Sequence, residues 1–330
     1  MKIVTTHYDW IDAAKALGIL SVVIGHCSSF IFQNGESIGT LFVMSYYMPL
    51  FFIASGFVRY KNLFDEKSAK LLRYKNFVVL VPFLIIGLLH NIICNGDDIV
   101  VACHNLFFDE RCSGYWFLLV LFMIDYSTIL GGRLPFGKTK YLRLVVPFIC
   151  GGGICLILNQ IGFHSLKQYF IYYPYFAMGA TFRKKNILYF LDSKKLILLV
   201  VLSLVSFITY VILVGHYTKV LWLIQYPITV TLFALLSNMK WNATKYALHF
   251  IQIGKMSLYI YCLHYFILAC LTRINFSSVV GYHTYNYVVQ VTVLFLVAII
   301  VCELSMLLGK AIQKNKYLDF VLFGKIIKKS

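Results

Sequence analysis

The sequence predicts an all-α integral membrane protein, a polytopic bundle of about ten transmembrane helices. Of its 330 residues, 60% are hydrophobic and only 13% are charged, and its mean hydropathy is +0.78. Soluble domains carry about 25% charged residues, so this chain cannot cover a globule with charged side chains. The composition therefore excludes a soluble globular domain. Six prolines and no polar low-complexity tract also exclude a disordered or collagen-like chain.

The apolar segments are long enough to cross a bilayer. A hydrocarbon core about 30 Å thick requires about 20 apolar residues per helix. The continuous runs lack the period-two alternation of a barrel strand, so we interpret them as helices. The sixth is short and the fourth contains Asp125. The predicted spans are residues 11–32, 39–60, 77–94, 115–131, 142–162, 169–182, 196–214, 220–238, 251–271 and 287–308.

The positive charges alternate with these spans. If the N-terminus is cytoplasmic, 24 of the 30 lysines and arginines fall in cytoplasmic segments and 4 in outer segments, while Lys15 and Lys255 lie within spans. The positive-inside rule predicts this distribution when both termini are cytoplasmic. The net charge of +17 therefore reflects membrane topology. We expect the lipid bilayer as a partner and no nucleic acid.

The chain is expected to form a single domain over residues 1–330, since it shows no linker or internal repeat. No small-residue cleavage site follows the first apolar run, so we expect the first span to be retained. The nine cysteines include no CxxC pair and no zinc-type Cys/His spacing, which predicts no metal site. Cys103 and Cys112 share the outer loop 95–114, where a disulfide is chemically possible.

Ionisable side chains within the spans are the first candidates for function, because each costs about 2.5–3.5 kcal/mol at the middle of a membrane helix. Imidazoles fall in the outer halves of the predicted spans, and carboxylates and ammonium groups in the inner halves. We therefore predict one polar cavity with two chemically different ends. For His90 an interhelical hydrogen bond is the favoured interpretation, whereas Asp125 and Glu303 fit structural and functional roles equally. The intramembrane set is Asp12, Lys15, His26, His90, Asp125, Lys255, His264 and Glu303.

The first span carries a polar stripe. Asp12 and Lys15 are three residues apart, so they are neighbours on a helix and can form an ion pair. The eleven residues from Lys15 to His26 return to within about 20° of the same face with a rise of about 16 Å. Asp12 is about 21 Å from His26 along the helix, so the partner of the imidazole must come from another span. Small residues nearby permit close helix packing; they are Ala14, Gly18, Ser21 and Gly25.

Residue chemistry alone leaves two classes of function open. Imidazole is the usual general base near neutral pH, and in a helical bundle it can serve a membrane-embedded transferase or a proton-coupled exporter or glycan flippase. The chain contains no GxxxxGK[ST], HExxH or GxSxG motif. ATP hydrolysis, zinc proteolysis and serine-hydrolase chemistry therefore have no support.

The first span also carries a family resemblance. The segment WIDAAKALGILSVVIGH, residues 10–26, resembles the signature of the acyltransferase-3 family of integral membrane O-acyltransferases, which has an Asp, an Arg three residues later and a His eleven after that. Asp12, Lys15 and His26 hold these places, and a lysine in the arginine's place resembles the branch related to fucose 4-O-acetylases. Later segments resemble the family in the same order: MPLFFIASGF at 48–57, VPF at 81–83, YWFLL at 115–119 and SLYIYCLH at 257–264.

The resemblance implies transfer of an acetyl group from cytoplasmic acetyl-CoA to a hydroxyl of a sugar in a surface or lipid-linked glycan. It implies a bacterial inner (cytoplasmic) membrane location, with acetyl-CoA as co-substrate and no permanently bound cofactor. His26 takes the place of the family's catalytic histidine, while Asp12 and Lys15 take the place of the pair that supports the acyl-donor site.

Further residues have expected roles in this chemistry. His26 is expected to deprotonate the acceptor hydroxyl, although an acyl-histidine intermediate is an alternative route. His264 and Tyr261 are expected to stabilise the oxyanion that develops during transfer. Basic residues beside the second and third spans suit the phosphates of CoA; they are Arg59, Lys61, Arg73 and Lys75.

Overall fold

A computed structural model of the chain describes most of its length in helices, in agreement with the predicted all-α class. In the part of the chain that it describes there is no β-strand. The described residues are 8–30, 38–63, 69–133, 142–185, 193–213, 221–241, 244–272 and 287–325.

Fourteen α-helices are described along the chain. They are α1 (Asp9–Phe30), α2 (Ile38–Met44), α3 (Tyr47–Leu63), α4 (Ala69–His90), α5 (Ile99–Phe108), α6 (Trp116–Arg133), α7 (Leu142–Gln160), α8 (Gln168–Lys185), α9 (Ser193–Leu213), α10 (Leu221–Asn238), α11 (Lys245–Lys255), α12 (Ser257–Thr272), α13 (Tyr287–Lys314) and α14 (Lys316–Phe323). A π-helical segment, Asn91–Asn95, follows α4 directly.

Several of these helices have the length and hydropathy of membrane spans. Five segments qualify within the described residues, or six if the bent pair α11–α12 forms one span. The chain is thus a multi-pass membrane protein, while ten spans and cytoplasmic termini stay predictions. The five segments are Asp9–Phe30, Leu41–Arg59, Asn76–Asn95, Lys194–Ile212 and Val291–Lys314.

Local structure differs from the predicted pattern at three places. The outer loop 95–114 contains α5, whose first turn is capped by the Asp98 carboxylate accepting from the Val100 and Val101 amides. The predicted continuous span 251–271 is instead broken at Met256, where α11 and α12 meet with a bend of 78°. A further helix, α14, follows the last predicted span.

The chain divides into two compact units. The first comprises residues 1–54 and 185–309, and the second comprises residues 55–184 and 310–330. In the first unit, α1 packs against α2, α10, α11 and α12, while α9 packs against α10. In the second, α6 packs against α4 and α7, and α14 packs against α4.

Burial differs sharply between two helices of the first unit. Most of the apolar face of α1 is buried, including Ile11, Ile19 and Val23. By contrast, α9 exposes a row of large aliphatic side chains, among them Ile197, Val201, Leu204 and Ile208. An apolar helix with so little protein contact suits hydrocarbon as its solvent.

Candidate active site

The N-terminal end of the polar stripe on α1 is an ion pair. Lys15 Nζ donates to Asp12 Oδ1 at 3.1 Å, and the Asp12 side chain is buried. The i, i+3 pairing predicted from the spacing is thereby confirmed. Mutual neutralisation lowers the cost of placing both groups in an apolar helix.

Helices α1 and α11 cross closely beside this ion pair. A Cβ atom on Gly254, near the end of α11, would overlap the backbone carbonyl oxygen of Asp12. Glycine therefore lets α11 pack directly on the backbone of α1, just before the break at Met256. The break thus lies beside the Asp12–Lys15 pair.

The small residues of α1 serve different contacts farther along. At Gly18 a Cβ would come within 2.8 Å of the Phe51 ring, so the ring occupies the space that glycine leaves. Ser21 Oγ shares a hydrogen bond of 2.9 Å with the Tyr46 hydroxyl. At Gly25 an added Cβ would meet no atom of the described residues within 4 Å, so among these residues the helix surface next to His26 is open.

The C-terminal part of the stripe holds a cluster of His26, His264 and Tyr265, which we call the imidazole cluster. His26 Nε2 and the Tyr265 hydroxyl are 3.0 Å apart. The two imidazole rings have centroids 5.3 Å apart, and the Tyr265 ring lies 4.2 Å from that of His264. His26 is half-buried, whereas His264 and Tyr265 are buried. A partner for His26 from another span was predicted, and α12 supplies it.

The hydrogen bond of His264 determines its tautomer. Its Nδ1 lies 3.0 Å from the carbonyl oxygen of Ile260. Because a carbonyl only accepts, Nδ1 carries the proton, and in the neutral ring Nε2 is an acceptor. The predicted role of His264 as a donor to an oxyanion therefore requires its protonated ring.

Sequence reasoning selected Tyr261 but missed Tyr265. The two tyrosines are four residues apart on α12 and share a helix face. The Tyr261 ring contacts His264 at a centroid distance of 6.1 Å, whereas the Tyr265 hydroxyl bonds to His26 itself. Only the packing of α12 on α1 distinguishes the two tyrosines. The sequence signal for Tyr265 was that it directly follows His264.

This arrangement agrees with a comparison with known protein families. A family model described as an acyltransferase domain, Acyl_transf_3, matches residues 8–306 and so includes the polar stripe and the whole imidazole cluster. The chain belongs to the acyltransferase-3 family. Comparisons with curated proteins and with solved structures give no match. The family establishes a membrane acyltransferase in general terms.

In the second unit of this acyltransferase, Arg59 and Asp125 form a buried ion pair. The guanidinium of Arg59 on α3 contacts the carboxylate of Asp125 on α6, and the side chains are 10% and 0% exposed. This contact favours the structural interpretation of Asp125. Arg59, expected at the CoA phosphates, also contacts this internal carboxylate.

The side chains of the other expected phosphate ligands lie outside the described part of the structure. The helices that carry Lys61, Arg73 and Lys75 are described, but the side chains of these residues are not. Among the described basic residues of this unit, Arg183 donates to the Phe57 carbonyl oxygen at 3.1 Å and stacks over the Phe57 ring at 5.2 Å.

His90, Glu303 and Lys255 are the remaining predicted polar residues. His90, at the end of α4, is buried with its ring 5.7 Å from that of Tyr115. Glu303 on α13 pairs with His249 of α11 at 2.5 Å, a partner that the sequence analysis missed because 249 falls outside the predicted span. Lys255 is exposed at the end of α11.

The two cysteines of the outer loop are free thiols in the structure. Cys103 is half-buried on α5, and Cys112 is buried in the turn before α6. Burial raises the pKa of the Cys112 thiol to about 11. The thiol is therefore protonated at neutral pH and is a poor nucleophile.

Proposed function

We propose that this protein transfers an acetyl group from cytoplasmic acetyl-CoA to a hydroxyl of a sugar in a surface or lipid-linked glycan, in a bacterial inner membrane. The observation that carries the proposal is the half-buried His26 imidazole, hydrogen-bonded to Tyr265 in a chain of the acyltransferase-3 family. The fucose 4-O-acetylase-like branch is supported by Lys15, which holds the place of the family's arginine and pairs with Asp12.

The proposed reaction uses His26 as a general base. A ring nitrogen takes the proton of the acceptor hydroxyl while its oxygen attacks the thioester carbon of acetyl-CoA. The tetrahedral intermediate then collapses, the carbon–sulfur bond breaks, and the imidazolium returns the proton to the departing thiolate. The products are the O-acetyl sugar and free CoA, so atoms and charge balance.

The environment of His26 suits this proton transfer. Its hydrogen-bond partner is a neutral hydroxyl and its nearest ring neighbours are His264 and Tyr265. A tyrosine hydroxyl can either donate or accept, so this hydrogen bond can persist when the ring gains or loses a proton. Imidazole is also the side chain whose ordinary pKa lies closest to neutral pH.

The donor site is proposed to lie toward the inner end of α1. The buried Asp12 and its partner Lys15 support it there, at the Gly254 crossing. Lys61, Arg73 and Lys75 are the proposed ligands of the CoA phosphates, by charge and predicted topology. Arg59 belongs to the same proposed set, and its guanidinium also contacts the Asp125 carboxylate.

The test measures acetyl transfer in washed membranes. Membranes with the wild type, His26→Gln or His104→Ala are given acetyl-CoA labelled in the acetyl group, and base-labile ester is counted in extracted glycan and glycolipid. His104 is an exposed histidine of α5 and provides the matched control. We expect His26→Gln to reduce labelling by roughly 10²–10⁴-fold, with His104→Ala close to the wild type and all three proteins present in equal amounts.

A proton-coupled exporter or flippase is the alternative, and the 78° break between α11 and α12 favours it, because transporters place broken helices at their substrate sites. It predicts no ester label with any variant, together with movement of glycan across sealed vesicles. Full labelling with His26→Gln would instead overturn the role assigned to His26 while leaving a transferase.

A further inference from the structure

The C-terminal helix α14 carries an apolar surface that the described structure leaves open. Four large residues on it are exposed, by 64% at Tyr317, 42% at Leu318, 40% at Phe320 and 54% at Val321. At 3.6 residues per turn these four fall within an arc of about 160°. Phe323 lies on the other side of the helix and is fully buried.

The helix is held firmly in this orientation. The Asn315 side chain accepts from the Tyr317 and Leu318 amides at its start, and Gly324 ends it in the left-handed conformation with φ of 65°. Gly324 packs on Phe77 and Val81 of α4, and the Phe320 ring lies 6.4 Å from that of Phe77. Because α14 is capped and packed on α4, its surface has a defined orientation. An exposed apolar face of this kind marks an interaction site.

The position of α14 in the chain points to the membrane surface as that occupant. The candidate span Val291–Lys314 ends only two residues before α14 begins at Lys316. If α13 crosses the bilayer, α14 therefore starts at the boundary between hydrocarbon and headgroups. A short helix there with one apolar face has the composition of an interfacial helix.

Charge determines which lipids suit this surface. Lys314 and Lys316 are exposed, Lys310 and Lys325 are half-exposed, and Asp319 is the one acidic residue between positions 310 and 325. Lys316 Nζ also lies 5.3 Å from the Tyr317 ring, at the edge of the apolar face. Lysines around an apolar face match anionic headgroups above acyl chains.

We propose that α14 is an interfacial helix that binds anionic phospholipid headgroups, with Tyr317, Leu318 and Val321 in the acyl-chain boundary and Lys314 and Lys316 on the phosphates. The helix then anchors the end of α13 at the membrane surface, and its packing on α4 holds it in place within the second unit. This inference depends on α13 crossing the membrane and not on the chemistry at His26.

The test identifies directly what touches position 317. The full-length protein with photoreactive benzoylphenylalanine at this position is reconstituted in nanodiscs of equal parts phosphatidylglycerol and phosphatidylcholine. After irradiation, the adducts are identified by mass. We expect lipid adducts in which phosphatidylglycerol is enriched several-fold over its share of the bilayer, since each lysine near the surface contributes about fivefold in affinity for anionic lipid.

Paired variants assign the selectivity to the lysines. Lys314→Gln/Lys316→Gln should return the adduct ratio to the bilayer composition, as should high salt. Lys194→Gln/Lys195→Gln removes two exposed lysines at the start of α9 and should leave the enrichment intact. Both double variants must elute as the wild type does in gel filtration.

Three results would overturn the proposal. Adducts in the bilayer ratio with the wild type would mean that the surface has no preference for anionic lipid. Adducts to a second protein chain would make α14 a protein-docking surface instead. The absence of any lipid adduct at low salt would place the helix away from the membrane.

Discussion

The imidazole cluster of the first unit and the Arg59–Asp125 pair of the second are both polar groups inside apolar helices, but they are built in opposite ways. Arg59 and Asp125 carry full charges and are almost completely excluded from solvent. His26 is half-buried, next to an open helix surface at Gly25, and its described hydrogen-bond partner is an uncharged hydroxyl.

The difference separates a structural polar group from one that can react. Each member of a buried ion pair is needed to neutralise the other, because desolvation makes an isolated charge very costly. Such a pair has little capacity to exchange protons with a substrate. An imidazole beside a hydroxyl can change its charge at moderate cost and is reachable from the helix surface. Both arrangements are therefore costly inside apolar helices, but only the imidazole cluster is arranged to exchange a proton with a substrate.

The largest effect is predicted for a substitution that breaks the Arg59–Asp125 ion pair. Asp125→Ala leaves the Arg59 guanidinium buried without its counter-charge, and we expect a loss of about 3–5 kcal/mol in the free energy of unfolding. The measurement is thermal unfolding of the purified protein in detergent. The double variant Arg59→Leu/Asp125→Leu should recover most of the loss, because no uncompensated charge remains. Equal stability of Asp125→Ala and the wild type would show that the pair is not structural.

The second prediction concerns the crossing of α11 on α1, next to the Asp12–Lys15 pair. Gly254→Ala forces a methyl group into the Asp12 carbonyl, and we expect destabilisation of about 1–3 kcal/mol from overpacking. Gly25→Ala is the matched control, since its added Cβ meets no atom within 4 Å in the part of the chain that the structure describes. Melting temperatures of the two variants test the difference. A Gly254→Ala protein as stable as Gly25→Ala would contradict the close approach of α11 to α1.

A smaller effect tests the hydroxyl that contacts His26. Tyr265→Phe removes one hydrogen bond worth about 0.5–1.5 kcal/mol, so acetyl transfer should slow by roughly 2–12-fold with little change in melting temperature. Tyr210→Phe, a buried tyrosine of α9, is the control. Initial rates across pH add a second readout, because a hydroxyl bonded to the imidazole influences its titration. An unchanged rate and pH profile would leave Tyr265 with a packing role only.

The smallest effect contrasts the buried pair with an exposed one. Lys167 Nζ donates to Glu110 Oε1 at 2.7 Å, and this bond, with the lysine's charge, lowers the pKa of the Glu110 carboxyl below its usual 4.5. A lowered folded pKa adds stability above the unfolded pKa that is lost as the pH falls through the folded one. Melting temperatures of Glu110→Gln and the wild type should differ slightly at pH 7 and converge in acid. A large difference at pH 7 would contradict the weak contribution expected of an exposed pair.

The sequence alone determined the class of protein, and the reason is that this information is local. Composition and long apolar runs predicted an all-helical membrane chain. The spacing of Asp12 and Lys15 predicted their ion pair, since three residues on one helix are neighbours whatever surrounds them. The same segment carried the resemblance that the family comparison confirmed. Its length also implied that His26 needs a partner from another helix.

Tertiary structure alone identified the partners. Tyr265 lies 239 residues from His26 in the chain, and Asp125 lies 66 residues from Arg59. Helical periodicity cannot rank Tyr265 above Tyr261, because both share a face of α12. Likewise, the packing of α11 on the backbone of α1 explains why position 254 is a glycine and where the helix breaks at Met256. Neither could be inferred from local sequence. Local spacing fixes which side chains a helix presents, whereas the packing of distant helices fixes what each side chain meets.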